Sequence, residues 1–199
     1  MARFPACSNF VWFLISSCVT AIFKMGFFFD RGTLGNKRFY SGGTSVLIYL
    51  IIAAALVLID FLIKAWVTAH IPLGESQQLI PGVIDLTHIR NTGAAFSMFE
   101  GKHWFFYITT LLAFGVVAML WRNSLHKPIY RLGLTLITAG AIGNFIDRLR
   151  FQYVTDMFHL EFLDQWRFNA IFNFADMCIT FGVILVLIFI LFDHDKAVA

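Results

Sequence analysis

Apolar runs of transmembrane length recur four times along this chain, at about 46–67, 104–121, 129–147 and 177–192. A helix needs about 20 such residues to cross a hydrocarbon core of roughly 30 Å. The last run is short by itself, and Ala170, Ile171, Phe172 and Phe174 are available to extend it upstream. In a bilayer the backbone polar groups must be satisfied within the segment, so each run is read as a helix. Composition agrees: 59% of the residues are hydrophobic and only 14% charged, a balance that excludes an ordinary soluble domain. The fold expected is therefore an all-α membrane bundle of four transmembrane helices.

Flanking charge orients the bundle. Lys24, Arg31, Lys37 and Arg38 precede the first run, Arg122, Lys127 and Arg131 crowd the connection between the second and third, and Lys196 follows the fourth. By the positive-inside rule these flanks, and with them both termini, are cytoplasmic. The outward loops are then 68–103 and 148–169. They carry Arg90, Lys102, Arg150 and Arg167, so the bias rests on the inner side. A net charge of +3 with no basic cluster interleaved with aromatics speaks against nucleic acid as a partner.

With this topology the polar residues of the spans fall at one boundary. The first and third runs end outward with Asp60 and Lys64, then Asn144, Asp147 and Arg148. The fourth starts outside with Asn173 and Asp176, and the polar turn 91–97 precedes the second. Ionisable groups at such depths are costly and are functional candidates by default. Two carboxyls at one membrane boundary are the minimum apparatus for aspartyl-type hydrolysis. The rival reading is a small proton-coupled transporter component, which predicts polar groups spread through the membrane depth and often an inverted repeat. Neither pattern is visible.

The outer loops read as strands. Residues 76–90 place β-branched residues on either side of Pro81-Gly82, a hairpin pattern, and 157–172 is similar with a turn at Asp164-Gln165. Phe162, Trp166 and Phe168 suit an interfacial belt, so the picture is a small sheet partly sunk among headgroups. Residues 1–44 form an N-terminal extension whose apolar run, 10–23, is too short to span and meets Lys24. An interfacial helix or a start placed too far upstream accounts for it. The membrane domain is assigned to 45–193 and a cytoplasmic tail to 194–199.

Each candidate also has a plainer reading. Asp156 alone is a solvated carboxylate on a loop that must fold back after the third span, and Asp176 an acid favourable to a helix N-terminus. Asn144, Asp147 and Arg148, at i, i+3 and i+4, share a helical face. They are either a polar cap, with Asp147 as the partner of Arg148, or support for a site, with Asn144 and Arg148 holding a peptide backbone or a lipid phosphate. Asn173, three residues before Asp176, can orient its carboxylate. Asn91, Gly93 and Ala94 make a tight turn that permits close backbone approach. Asp60 and Lys64, at i and i+4, are most simply an ion pair near the interface. Cys7, Cys18 and Cys178 form no CxxC pair and read as small buried hydrophobes. The six histidines show no ligand spacing such as HExxH, and no Ser–Lys pair stands at a membrane edge.

Five of these segments, DFLIK at 60–64, RNTGAAFS at 90–97, GNFIDR at 143–148, VTDM at 154–157 and FNFAD at 172–176, resemble in order and spacing the signature blocks of lipoprotein signal peptidase, the bacterial type II signal peptidase. The resemblance covers residues 45 to about 193 and leaves the N-terminal extension outside it. It implies four transmembrane helices with a small extracytoplasmic β-cradle, and catalytic aspartates at Asp156 and Asp176. It favours site support by Asn91, Gly93, Asn144, Arg148, Asn173, Asp60 and Lys64, with no cofactor. The implied substrate is a bacterial prolipoprotein, cut just before a cysteine that bears a diacylglyceryl group. The implied place of action is the periplasmic face of the inner membrane.

Overall fold

Long uninterrupted apolar sequence produces four long helices: α1 (Gly43–His70), α2 (His103–Arg122), α3 (Pro128–Phe151) and α4 (Phe174–His194). The computed structural model describes residues 43–93, 103–122, 124, 127–166 and 170–194. Expectations for the N-terminal extension up to residue 42, for Ala94, for Phe168 and for the tail beyond 194 lie outside these. Among the described residues, four helices are long and apolar enough to cross a membrane. Each extends beyond the run read from sequence. Pro128 opens α3 at its first turn, where its missing N–H costs nothing. Gln152 closes α3 in the left-handed conformation, its N–H donating to the Arg148 carbonyl at 3.0 Å. The start of α4 differs from expectation. Phe174 does lengthen the helix, whereas Ile171 and Phe172 pair as a strand.

The sheet is antiparallel throughout, in the order β1 (Ser76–Ile80), β2 (Ile84–Asn91), β3 (Val154–His159) and β4 (Ile171–Phe172). The expected 76–90 hairpin is present, with Gly82 at positive φ in its turn. The second hairpin is corrected: its strands are 154–159 and 171–172, and a 3-10 turn, Glu161–Trp166, stands where a tight turn at Asp164-Gln165 was expected. Val154 and Thr155 before it, with Met157 and Phe158 after it, put Asp156 on a strand, not on a loop.

Sheet and bundle meet at the C-terminal end of α1. Val67, Ile71 and Met157 form a buried cluster, and the buried His88 ring is hydrogen-bonded through Nδ1 to the Ile71 carbonyl at 2.8 Å. Because strand residues alternate faces, burying Met157 against α1 turns Asp156 to the opposite side. The register completes the arrangement. Asp156 lies opposite Ile89 and Val154 opposite Asn91, so Asp156 and Asn91 are diagonal neighbours on one face.

α3 is the most buried of the spans and lies against α4 with little between the backbones. A Cβ added at Gly140 would collide with the Ala175 carbonyl, and one at Gly182 would come within 2.6 Å of the Gly133 carbonyl. Small residues at these positions let the helices approach, the usual device for association in lipid.

Candidate active site

The nine polar side chains named for the site are buried, and they gather at one end of the bundle. Asp156 and Asn173 have no exposed surface, and Asp60, Lys64, Asn91, Asn144, Asp147, Arg148 and Asp176 are also buried. β3 supplies Asp156, the first turn of α4 supplies Asp176, α3 supplies Asn144, Asp147 and Arg148, α1 supplies Asp60 and Lys64, and β2 supplies Asn91.

Asparagine amides clasp both carboxyl groups. Asn91 Nδ2 donates to Asp156 Oδ2 at 2.9 Å, and Asn173 Nδ2 donates to Asp156 Oδ1 at 2.7 Å. Asn144 Nδ2 donates to Asp176 Oδ1 at 2.8 Å. The local backbone dictates two of these orientations. The Gly93 N–H donates to Asn91 Oδ1 at 3.1 Å, and the Asp176 N–H donates to Asn173 Oδ1 at 2.9 Å. Backbone N–H groups only donate, so each holds the amide oxygen and turns the amide nitrogen towards Asp156.

Asn173 therefore has two tasks. It is the N-cap of α4, and its own N–H reaches back towards Asp176 Oδ2 at 3.4 Å, the reciprocal pattern of a capping box. Sequence reasoning expected it to orient Asp176. It does so through the backbone, and its side-chain amide goes to Asp156.

Burial, together with the negative charge of Asp176, pushes the Asp156 carboxyl up to about 7 from 3.8, against the pull of the Asn91 and Asn173 donors. A carboxyl so placed exchanges its proton near neutral pH, which is what acid–base chemistry demands.

Behind the carboxyls lies an ionic cluster. Lys64 Nζ is 2.8 Å from Asp60 Oδ2, as its i, i+4 spacing predicted, though the pair is buried and not merely near the interface. Lys64 is also 2.9 Å from Asp147 Oδ2, which corrects the expectation that Asp147 partners Arg148. The two are neighbours on α3, but their side chains diverge. Arg148 stacks over the Phe106 ring at 4.7 Å, with a long 3.4 Å contact from Nη1 to the Asn144 carbonyl.

Some contacts escaped the sequence reading. Asp60 Oδ1 accepts the Ala175 N–H at 2.9 Å, so α1 clamps the first turn of α4 from outside it. Tyr107 donates to the Arg148 carbonyl at 3.1 Å. Gly143 abuts Asp60, since a Cβ there would lie 2.6 Å from Oδ2. The aromatic run at 104–107 and the Gly140-x-x-Gly143 spacing were the only signals for these. Among the described residues no group of three His, Cys, Asp or Glu side chains could hold a metal ion. Cys178 is buried and free, as expected for a small core residue.

The family model described as signal peptidase (SPase) II matches residues 52–192. A lipoprotein signal peptidase of Lactiplantibacillus plantarum is 50% identical over 149 residues, which is 74% of this chain and 97% of the relative. One from Streptococcus pyogenes is 47% identical over 141 residues, 70% of this chain and 90% of that protein. Two solved structures, both described as bacterial membrane enzymes, superpose with TM-scores of 0.69 and 0.66 at 30% and 31% identity. They cover 81% and 79% of this chain, and 95% and 97% of their own.

Proposed function

The chain belongs to the signal peptidase II family, as a multi-pass bacterial membrane peptidase of lipoprotein processing, and we propose that it is an aspartyl endopeptidase in which Asp156 and Asp176 form the catalytic pair. The observation that carries this reading is the pair itself: two buried carboxyls from different elements, each held by asparagine amides, with the Asp156 carboxyl pushed up to about 7.

Two carboxyls this closely coupled share one proton near neutral pH, and the proton belongs to the pair. The ionised member takes a proton from water, which attacks the scissile carbonyl. The protonated member donates to the carbonyl oxygen, and collapse of the tetrahedral intermediate returns a proton to the leaving amine. The amide clasps keep both carboxyls in reach of the same bond without any need to reorganise. Arg148 and Asn144 hold the substrate backbone or a lipid phosphate, and Asn91 and Gly93 bring a backbone turn close to Asp156.

The substrate is a bacterial prolipoprotein, cut before its diacylglyceryl cysteine. A site at the end of a membrane bundle suits it, because the signal helix and the acyl chains stay in lipid while the scissile bond meets the carboxyls. The site faces the periplasm with both termini in the cytoplasm. The chain contacts membrane lipids and substrate, engages no nucleic acid and requires no cofactor.

The test is cleavage of a lipidated precursor peptide by purified protein. Asp156→Asn and Asp176→Asn each abolish cleavage while the protein stays folded, because neither carboxyl can both accept and donate in turn. Substantial turnover by either variant would overturn the assignment.

A further inference from the structure

Three asparagines donate to the two carboxyls, and which way round each amide sits is fixed by what holds its oxygen. For Asn91 and Asn173, free backbone N–H groups of a turn and of a helix start do the holding. Asn144 has no such neighbour. It lies inside α3, where the backbone N–H groups are consumed by the helix itself. A donor for its oxygen must come from another helix, and Lys64 on α1 supplies it, Nζ donating to Asn144 Oδ1 at 3.1 Å.

We propose that Lys64 is a positioning residue whose ammonium locks the Asn144 amide with its oxygen inward and its nitrogen towards Asp176. This deepens the proposed function and rests on the reading of Asp176 as catalytic. An ammonium has three donors and no acceptor capacity. Here Asp60 Oδ2 and Asp147 Oδ2 lie 2.8 and 2.9 Å from Nζ as ion-pair partners, and Nζ donates to Asn144 Oδ1 at 3.1 Å. The two carboxylates balance the buried charge and hold the nitrogen in place by ion pairing, and the hydrogen bond to Asn144 does the orienting. Without it nothing prevents the amide from turning its oxygen to Asp176, where oxygen would face oxygen. The cluster thus accounts for a lysine kept inside a membrane span, and for the two acids beside it on separate helices.

Kinetics with a lipidated precursor peptide separate this role from a merely structural one. Lys64→Met should lower kcat about 10- to 100-fold, the worth of one hydrogen bond to a charged group, and leave KM nearly unchanged. Lys64→Gln, whose amide can still donate, should recover part of kcat. Asn144→Ala should cost a similar factor, and Lys64→Met with Asn144→Ala should be no slower than Asn144→Ala alone, because Lys64 acts through that amide. If Lys64→Met does not fold, the same cycle is run on Asp147→Asn, which removes one charge of the opposite sign. Losses that multiply in the double variant, or a Lys64→Gln no faster than Lys64→Met, would overturn the proposal. Full loss in Asp176→Asn with wild-type kcat in Lys64→Met would refute it and leave the catalytic pair standing. An active Asp176→Asn would instead refute the pair.

Discussion

Asn173 offers a way to separate what holds α4 in place from what prepares Asp156. Its oxygen caps the helix by accepting the Asp176 N–H at 2.9 Å, and its nitrogen donates to Asp156 at 2.7 Å. The first contact is worth about 1 kcal/mol of stability, as N-caps usually are. The second, to a carboxyl that carries charge during the reaction, is worth about 1.5–3 kcal/mol, or roughly 10- to 150-fold in rate. Asn173→Ser keeps a good capping oxygen but is too short to reach Asp156. Asn173→Ala loses both contacts. Both variants should therefore show kcat reduced by that 10- to 150-fold. Only Asn173→Ala should melt lower by the further cap energy of about 1 kcal/mol. The assay pairs thermal unfolding in detergent with cleavage of a lipidated precursor. A serine variant that cleaves at the wild-type rate would refute the role assigned to the amide. Equal melting of the two variants would refute the cap.

The pH dependence follows from Asp156. Its native carboxyl titrates near 7 against 3.8 in the free residue, so between those values the folded state binds more protons than the unfolded one. Stability contributed by this group is full below about 4, falls as pH rises to about 7 and is lost above. Cleavage should likewise decline above about pH 7, approaching tenfold per unit, as the pair gives up its last proton; a rate that stays level to pH 10 would contradict a shared-proton mechanism. Gly140→Ala drives a methyl into the Ala175 carbonyl, one residue before Asp176. Overpacking of about 1–3 kcal/mol and a displacement near 1 Å should cost about 100-fold in rate, and a fully active variant would show that α4 can yield there. Single cysteines in place of Gln77, exposed on β1, and Arg122, exposed at the end of α2, test orientation. An impermeant thiol reagent outside the inner membrane should modify the first and spare the second, and the reverse would invert the topology.

The four spans and the pooling of polar residues at one end were legible because each follows from local chemistry: run length, flanking charge and the direction in which successive spans must travel. The 76–90 hairpin was legible through Pro81-Gly82, and the Asp60–Lys64 pair through its helical spacing. What could not be read were the partners across elements. Asp147 has Arg148 beside it in sequence, yet α1 brings Lys64 to it, because packing between spans decides which charge lies within reach. The second hairpin missed its early start because nothing local marks Val154 as paired with Asn91; that register depends on Met157 sinking against α1. The double use of Asn173 has the same origin. Its capping oxygen is a local matter, visible three residues ahead of an acid. The carboxyl that receives its nitrogen comes from a strand 17 residues earlier, and only the folding of that strand against α1 brings the two together.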